Sequence, residues 1–245
     1  MQKQTVFFKD LGVMGYTEAW DYQEYLLKQN VDIKTRYSAA KDKQTKNSTK
    51  NYLLFVEHPP VYTLGKTGHE ENILLDEQEL QERGIQFIKT NRGGDITFHG
   101  PEQIVGYPIL DLEKFGTDIA KYLRNLEEVV IRTLSDYGIS AERSSGETGV
   151  WIEPGVVGSE RKIAAFGVRC SRWITMHGFA FNVNTDLQYF DGIVPCGIKN
   201  KLITSLAREL GRNIDLDEVK AKLKLHFEEV FDAELKAMAE TEVKA

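Results

Sequence analysis

The 245-residue sequence has few cysteines, no long apolar run and no excess of positive charge. Its two cysteines, Cys170 and Cys196, are too few for a disulfide scaffold and show no zinc-site spacing, so we expect reduced thiols and no metal. No stretch approaches the roughly 18 consecutive apolar residues of a membrane-spanning helix, and residues 1–10 lack the apolar core of a secretory signal. The net charge of −6 argues against unspecific nucleic-acid binding. We therefore expect a cytoplasmic protein with neither a membrane nor a nucleic-acid partner.

The residues that are present are typical of a folded protein with both helices and strands. Hydrophobic residues make up 41% and charged residues 28%, and the length suits one large domain or two small ones. Runs of β-branched and aromatic residues predict strands at 52–57, 61–64, 85–89, 148–153, 162–169 and 174–183, the last two joined as a hairpin across 170–173. Apolar spacings of three and four predict helices over 17–30 and 117–137 and from 217 onward. Clustered strands between separated helices indicate an α+β or mixed α/β fold.

Two shorter segments carry local signals of their own. Asp76 begins a short predicted helix, Glu79 completes its capping box, and Gly84 ends it. The polar, basic stretch 36–50 offers almost nothing to bury, and it predicts a solvated loop or insertion.

A glycine-rich segment, residues 92–112, has the densest group of unusual residues. Gly93 and Gly94 can adopt backbone dihedrals closed to other residues and present N–H groups, while Arg92 and His99 offer donors for a carbonyl or an anion. The segment matches neither the dinucleotide-binding glycine motif nor a P-loop. A plain hairpin with His99 in its wall accounts for the same pattern, so both interpretations stay open.

Cys196 lies within a Pro-Cys-Gly tripeptide that resists regular structure, and we expect it to be accessible. A catalytic thiol needs a nearby cation or base to form the thiolate, and Lys162, His99 and His177 are candidates. The alternative is an inert cysteine that packs as a small hydrophobic residue.

Lys162 opens an otherwise apolar strand whose small residues Ala164, Ala165 and Gly167 leave room for a chain-like ligand. Apolar surroundings disfavour the charged form of a lysine, which suits it to proton exchange with a thiol. Alternatively, the lysine lies at a strand edge and extends to water. The segment 177–183 either lines the same groove or is a plain core strand.

Taken in order, these segments resemble the lipoyl(octanoyl) transferases, and the resemblance covers about residues 51–210. The family's motifs are similar to Arg92-Gly93-Gly94, Thr97-Phe98-His99, Gln103, Tyr107, Lys162-Ile163-Ala164-Ala165, His177-Gly178-Phe179-Ala180 and Pro195-Cys196-Gly197. Two features depart from the pattern. Glu102 stands where the family usually has glycine, and 36–50 looks like an insertion.

The resemblance implies a fold similar to that of biotin and lipoate protein ligases. Its expected features are a central mixed β-sheet flanked by helices, one catalytic unit over 1–245 with its core at about 51–210, and a smaller C-terminal subdomain at about 184–245.

The resemblance also implies a two-step acyl transfer without a cofactor. Cys196 would accept an octanoyl group as a thioester, and Lys162 would assist it by stabilising the thiolate and moving the proton. The residues implied to bind the acyl chain are Arg92, Gly93, Gly94, Asp95, Ile96, Thr97, Phe98, His99, Ala165, Phe166, Gly167, Gly178, Phe179 and Ala180.

The implied partners are an octanoyl-acyl carrier protein as donor, and the lipoyl domains of 2-oxoacid dehydrogenases and the glycine cleavage H protein as acceptors. An acidic carrier docking on an acidic enzyme requires a local positive patch, for which we hypothesise Arg169, Arg172, Lys199 and Lys201.

Three other functions stay open at this point. An ATP-dependent lipoate or biotin ligase of the same fold would need no cysteine. An amidotransferase between two carrier domains would share the cysteine chemistry. A non-catalytic module that binds acylated carriers would gain no covalent mass.

Overall fold

The computed structural model describes residues 3–40, 48–194 and 202–238, with the side chains of 37–40 excepted. Within these ranges the chain builds a large mixed sheet and a smaller three-stranded sheet. The strands of the large sheet are β1 (Gln4–Val13), β2 (Asn51–Glu57), β6 (Gln103–Ile109), β7 (Val150–Ile152), β8 (Arg161–Ser171), β9 (Ile174–Asn182), β10 (Leu202–Ile203) and β11 (Ala233–Ala237). The small sheet contains β3 (Val61–Leu64), β4 (Gln86–Lys89) and β5 (Ile96–His99). The helices are α1 (Tyr16–Ala40), α2 (Glu77–Glu82), α3 (Ile119–Ser135), α4 (Leu206–Leu210) and α5 (Leu216–Val230).

The large sheet runs in the order β10-β8-β9-β6-β2-β1-β11, and β7 pairs with β8 at one end. Neighbours from β8 to β2 are antiparallel, whereas β1 pairs in parallel with both β2 and β11. In the small sheet β3 lies at the centre, parallel to β4 and antiparallel to β5. The predicted mixed sheet flanked by helices is confirmed.

Helices cover both faces of the large sheet, as the central strand β2 shows. Leu53 and Phe55 belong to the core shared with α3 and α5, whereas Tyr52 and Leu54 belong to the core under α1. Successive strand residues point to opposite faces, so a strand covered on both sides is apolar throughout. Each such side chain contributes about 1.5–3 kcal/mol on full burial.

Most local predictions are confirmed. β3 has its predicted bounds, and Asp76 and Glu79 form the capping box through two hydrogen bonds of 2.9 Å. β8 and β9 form the predicted hairpin, with Ser171 opposite Ile174. The two residues between them both have positive φ, which matches the right-handed twist of the strands.

The predicted loop at 36–50 is wrong for its first part, because α1 continues to Ala40. The prediction rested on polar composition, but residues 31–40 contain no glycine or proline that would end a helix. Residues 41–47 lie outside the described residues.

One further expectation needs correction. Residues 92–112 form neither one loop nor a hairpin, because β5 and β6 belong to different sheets. The C-terminal subdomain at about 184–245 stays a prediction; of its described elements, β10 and β11 belong to the large sheet, and α5 shares the core of α3. Among the described helices, none combines the length and the apolar character that crossing a bilayer requires.

Candidate active site

A cavity of about 910 Å³ lies between the small sheet and the β8–β9 hairpin. Most of the predicted site residues line it: Arg92, Gly93, Gly94, Asp95, Ile96, Thr97, His99, Lys162, Ala165, Phe166, Gly167, Gly178, Phe179 and Ala180. Phe98 does not line it, because its ring is fully buried in the small-sheet core and stacks on Tyr189 with centroids 4.6 Å apart. Cys196 lies outside the described residues.

The glycine segment is fastened to β8 by its backbone. The amide of Gly93 donates to the carbonyl of Val168 at 2.9 Å, and Gly94 has a φ of +89°, a conformation that glycine adopts at no steric cost. A side chain at Gly65 would meet the Gly94 carbonyl at 2.1 Å. At this wall the residue after β3 and the glycine segment therefore lie so close together that no Cβ atom fits at Gly65.

Gly167 and Gly178 let neighbouring backbone segments come close to the β8–β9 hairpin. The sequence alone predicts only that small residues here leave space for a ligand. A Cβ atom on Gly167 would lie 2.7 Å from the Gly93 carbonyl oxygen, and one on Gly178 would lie 2.1 Å from that of Gly106. Real Cβ atoms essentially never come this close to another heavy atom, so neither position accepts a side chain without a shift of the backbone. These glycines let neighbouring chain segments close the cavity walls.

Lys162 is buried rather than extended to water. Its residue is 8% exposed, and its Nζ lies 4.6 Å from the centre of the Trp151 ring. A Cβ atom on Gly149 would come within 3.1 Å of the Cε of Lys162. Because β8 has paired neighbours on both sides at this point, the strand-edge interpretation is wrong.

Arg92 and His99 belong to one buried hydrogen-bond chain. The Nη2 of Arg92 donates to the Thr63 hydroxyl at 2.9 Å, so this hydroxyl directs its own proton to the Nε2 of His99 at 3.3 Å. The Nδ1 of His99 then donates to the Oε1 of Gln103 at 2.9 Å. The order of donors and acceptors thus places the proton of the neutral His99 ring on Nδ1.

The chain continues from Gln103 to the backbone of Lys162. The side-chain Nε2 of Gln103 donates to the Oδ1 of Asn182 at 2.9 Å, and the Nδ2 of Asn182 donates to the Thr204 carbonyl at 3.0 Å. The Thr204 amide donates to the Lys162 carbonyl at 3.0 Å. The polar wall around His99 is therefore connected to the strand pair that contains Lys162.

Histidines in and behind the cavity wall are held in their neutral forms. Burial lowers the pKa of His58 from its ordinary 6.5 to about 4, and burial with Arg92 and Arg169 nearby lowers that of His177 to about 3. Burial also lowers the pKa of His99 well below its ordinary value, with His58 adding to the effect. At neutral pH these rings are uncharged and suit an apolar ligand.

A buried carboxylate, missed from the sequence, supports the wall beside Lys162. Glu127 of α3 is fully buried and accepts hydrogen bonds from the Gly149 amide at 2.9 Å and from Arg124 at 2.6 Å. Arg143 donates to it as well, at 3.2 Å. A single glutamate on a helical face gives no sequence signal for such a role.

Comparison with known proteins assigns the family. The model of the lipoyl protein ligase A/B catalytic domain matches residues 15–228. The octanoyltransferase of Christiangramia forsetii is 60% identical over 229 residues, 93% of this chain and 96% of that protein. This chain belongs to the octanoyltransferase family. It is an acyltransferase linked to protein lipoylation, as the resemblance implied.

A second octanoyltransferase, from Flavobacterium johnsoniae, is 57% identical over 93% of this chain and 97% of its own. Among solved structures, a bipartite lipoate protein ligase from Thermoplasma acidophilum matches with a TM-score of 0.69 and 19% identity, over 98% of this chain and 89% of that one. A biotin protein ligase from Aquifex aeolicus matches with a TM-score of 0.53 and 15% identity, over 92% and 70%. At these identities the two structures show the fold alone, and the predicted ligase-like fold is confirmed.

The described residues on either side of Cys196 in this octanoyltransferase border the cavity. Before it, the Val194 amide donates to the Asn72 carbonyl at 2.8 Å. After it, Ile203 pairs with Lys162. Asn72, Ile203 and Lys162 all line the cavity.

Proposed function

We propose that this octanoyltransferase moves an octanoyl group from an acyl carrier protein to the lysine amine of a lipoyl domain, through a thioester on Cys196. One observation carries the proposal most strongly: Lys162 is buried in the cavity wall, and Ile203, which pairs with it, lies seven residues after Cys196. An ammonium close to a thiol stabilises the thiolate, which is the nucleophilic form.

The first step exchanges one thioester for another. The Cys196 thiolate attacks the octanoyl carbonyl carbon, the bond to the carrier thiol breaks, and Lys162 supplies the proton that the leaving thiolate takes up. The two thioesters are similar in energy, so no nucleotide is needed.

The second step makes transfer effectively one-way. The acceptor amine attacks the Cys196 thioester, its proton passes to Lys162, and the cysteine leaves as thiolate. The amide that forms is more stable than the thioester. Donors from the glycine segment 92–99 bind the acyl group and hold developing negative charge on its oxygen.

We propose octanoyl-acyl carrier protein as the donor and lipoyl domains as the acceptors, in the cytoplasm. Of the hypothesised docking patch, Arg172 is exposed at the hairpin turn, whereas Arg169 is paired with Glu24. Lys199 and Lys201 lie outside the described residues.

Intact-protein mass spectrometry after incubation with octanoyl carrier tests the cysteine. The expected result is one added octanoyl mass in the wild type and none in Cys196→Ser. Cys170→Ser is the matched control, because burial raises the pKa of the half-buried Cys170 thiol and its adduct yield should equal that of the wild type. An adduct of normal amount on Cys196→Ser would refute the proposal, and octanoylation from free octanoate and ATP would favour a ligase instead.

A further inference from the structure

The glycine segment 92–99 lies along an open stretch of β8. β7 and β10 pair with β8 no further than Ala164, so from Ala165 to Ser171 the strand beside it in the described part of the chain is β9 alone. On the open side the Gly93 amide bonds to the Val168 carbonyl and fastens the glycine segment to the strand. One backbone bond does not fix the position of a whole segment, so side chains must supply the rest of the attachment.

The glycine segment is also bonded to the small sheet. The Lys66 amide donates to the Arg92 carbonyl at 3.0 Å, and the Gly65 amide donates to the Asp95 carbonyl at 3.2 Å. The segment and the small sheet therefore form one hydrogen-bonded unit, and the cavity lies between this unit and the β8–β9 hairpin. The contacts that join the unit to the hairpin set the width of the cavity.

Glu24 of α1 makes such a contact. Its Oε1 accepts from the Nδ2 of Asn91 at 3.1 Å and pairs with the Nη1 of Arg169. Asn91 immediately precedes the glycine segment, and Arg169 follows Val168 on β8. Trp20, one turn earlier on α1, directs its Nε1 to the same oxygen at 3.4 Å. One carboxylate oxygen thus joins the helix, the glycine segment and the hairpin.

Asn91 extends this connection to the second strand of the hairpin. Its NH₂ group is directed to a carboxylate, which only accepts, so its Oδ1 accepts from the Nε2 of His177 at 2.8 Å. α1 reaches the same residue of β9 directly, because the His177 amide donates to the Oε1 of Gln23 at 2.9 Å. Both strands of the hairpin are therefore connected to the glycine segment through side chains of α1.

The Glu24 carboxylate lies away from the reacting groups. It does not line the cavity, whereas Gly93 and His177, which its hydrogen-bond partners hold in place, do. Its partner Arg169 is seven residues from Lys162 on β8, roughly 23 Å at the rise of an extended strand. A change at Glu24 should thus alter the shape of the acyl site and leave proton transfer intact.

We propose that Glu24 is a positioning residue for the acyl group: its carboxylate fixes the glycine segment against the β8–β9 hairpin and so sets the width of the groove that holds the octanoyl chain. The proposal rests on the acyl transfer set out above, in which the glycine segment binds the acyl group. Hydrogen bonds to an ionised acceptor are roughly twice as strong as neutral ones, so an uncharged amide at this position should keep part of the role.

Steady-state transfer from octanoyl carrier, at saturating acceptor, tests this role. In Glu24→Ala we expect KM for the carrier to rise about tenfold and kcat to change less than about twofold, because a displaced wall weakens binding of the ground state and the transition state alike. Glu24→Gln keeps an acceptor for Asn91 and should raise KM only about threefold.

Asp32→Ala is the matched control on the same helix. It loses an exposed ion pair with Lys28, so both kinetic constants should equal those of the wild type. A purely structural role of Glu24 would lower the active fraction, and with it the apparent kcat, at unchanged KM. That outcome in Glu24→Ala would overturn the proposal.

Amide hydrogen exchange followed by NMR gives a readout that does not depend on activity. In Glu24→Ala the Gly93 amide, which bonds to Val168 across the open side of β8, should exchange about tenfold faster. The Gly65 amide bonds to Asp95 within the small-sheet unit and should keep its wild-type rate. Equal acceleration at both glycines would indicate a general loss of stability and would count against the positioning role.

Failure of this inference is distinguishable from failure of the proposed function. A normal octanoyl adduct on Cys196 together with an unchanged KM in Glu24→Ala would overturn the positioning role and leave the function intact. Absence of the adduct from the wild type would instead count against the proposed function.

Discussion

The side chain of Asn182 donates to the carbonyl of Thr204 across 3.0 Å, joining β9 to the strand that follows the Cys196 segment. Thr204 in turn donates its amide to the Lys162 carbonyl. Asn182 therefore links the position of β10 to that of the proposed catalytic lysine.

Asn182→Ala should lower stability by about 1–3 kcal/mol, because the buried Thr204 carbonyl loses a donor. Octanoyl transfer should fall further than the folded fraction does, since β10 is no longer fixed against Lys162. Urea unfolding and transfer rates measure the two effects. Asn184→Ala is the matched control: it loses bonds to Ile214 away from the cavity, so it should lose stability but keep its rate. Equal rates in both variants would contradict the positioning role.

Glu127→Ala should destabilise the protein by about 1–3 kcal/mol, because it leaves the buried Gly149 amide without its acceptor and removes a partner of Arg124 and Arg143. Glu128→Ala on the same helix removes a carboxylate that is 31% exposed and should cost less than about 1 kcal/mol. Glu127→Gln, which keeps an acceptor for Gly149, should recover more transfer activity than stability. Equal destabilisation by the two alanine variants in urea would show that burial does not set the cost.

Glu102 has a φ of +60°, a backbone conformation that glycine adopts more readily than any other residue. Its amide donates to Glu57 at 3.1 Å and its carbonyl accepts from the Asn184 amide at 3.1 Å, so the strained conformation is held from both sides. Glu102→Gly should be more stable than Glu102→Ala by about 1 kcal/mol. At the exposed helical residue Gln81 the order should reverse, with alanine favoured by a similar amount. Thermal unfolding of the four variants would reject the argument if both sites ranked alike.

Stability should rise with pH between about 4 and 6.5. The buried histidines take up protons in the unfolded state at their ordinary pKa of 6.5, whereas His58 in the folded state does so only near its lowered pKa of about 4. The unfolded state thus binds more protons in this window, and each such group contributes a slope of about 1.4 kcal/mol per pH unit. Stability is fully present above pH 6.5 and is lost as the pH falls.

His58→Gln should flatten this slope by about one proton, measured by urea unfolding at several pH values. His69→Gln is the control, since that side chain is 75% exposed. An unchanged slope in His58→Gln would show that the ring does not enter the folded state neutral.

Segments with a strong local pattern could be predicted from the sequence, and segments defined by long-range pairing could not. α3 and β3 have periodic or β-branched sequences, and Asp76 with Glu79 marks a helix start without reference to the rest of the chain. β1 was missed because its burial does not alternate, and β11 because it is short and largely exposed.

The candidate site also has one part that the sequence predicts and another part that only the structure shows. The motif residues that line the cavity were found through the family's pattern. Gln103 belongs to that pattern, but its connection through Asn182 to Thr204 joins residues 79 and 22 positions apart. Polar residues inside strands have no periodic signal, so only coordinates show which of them meet. His177 likewise bonds to Asn91, and Asn91 donates to Glu24, although no motif brings these three residues together.

The parallel pairing of β11 with β1 has a consequence for synthesis on the ribosome. Gln4 lies opposite Ala233, so β1 leaves the ribosome long before the strand that covers its outer side. Until then the nascent chain presents open backbone donors and acceptors that a neighbouring chain could use. Premature termination ahead of residue 233 would therefore leave the outer edge of β1 unpaired and the fragment prone to aggregate.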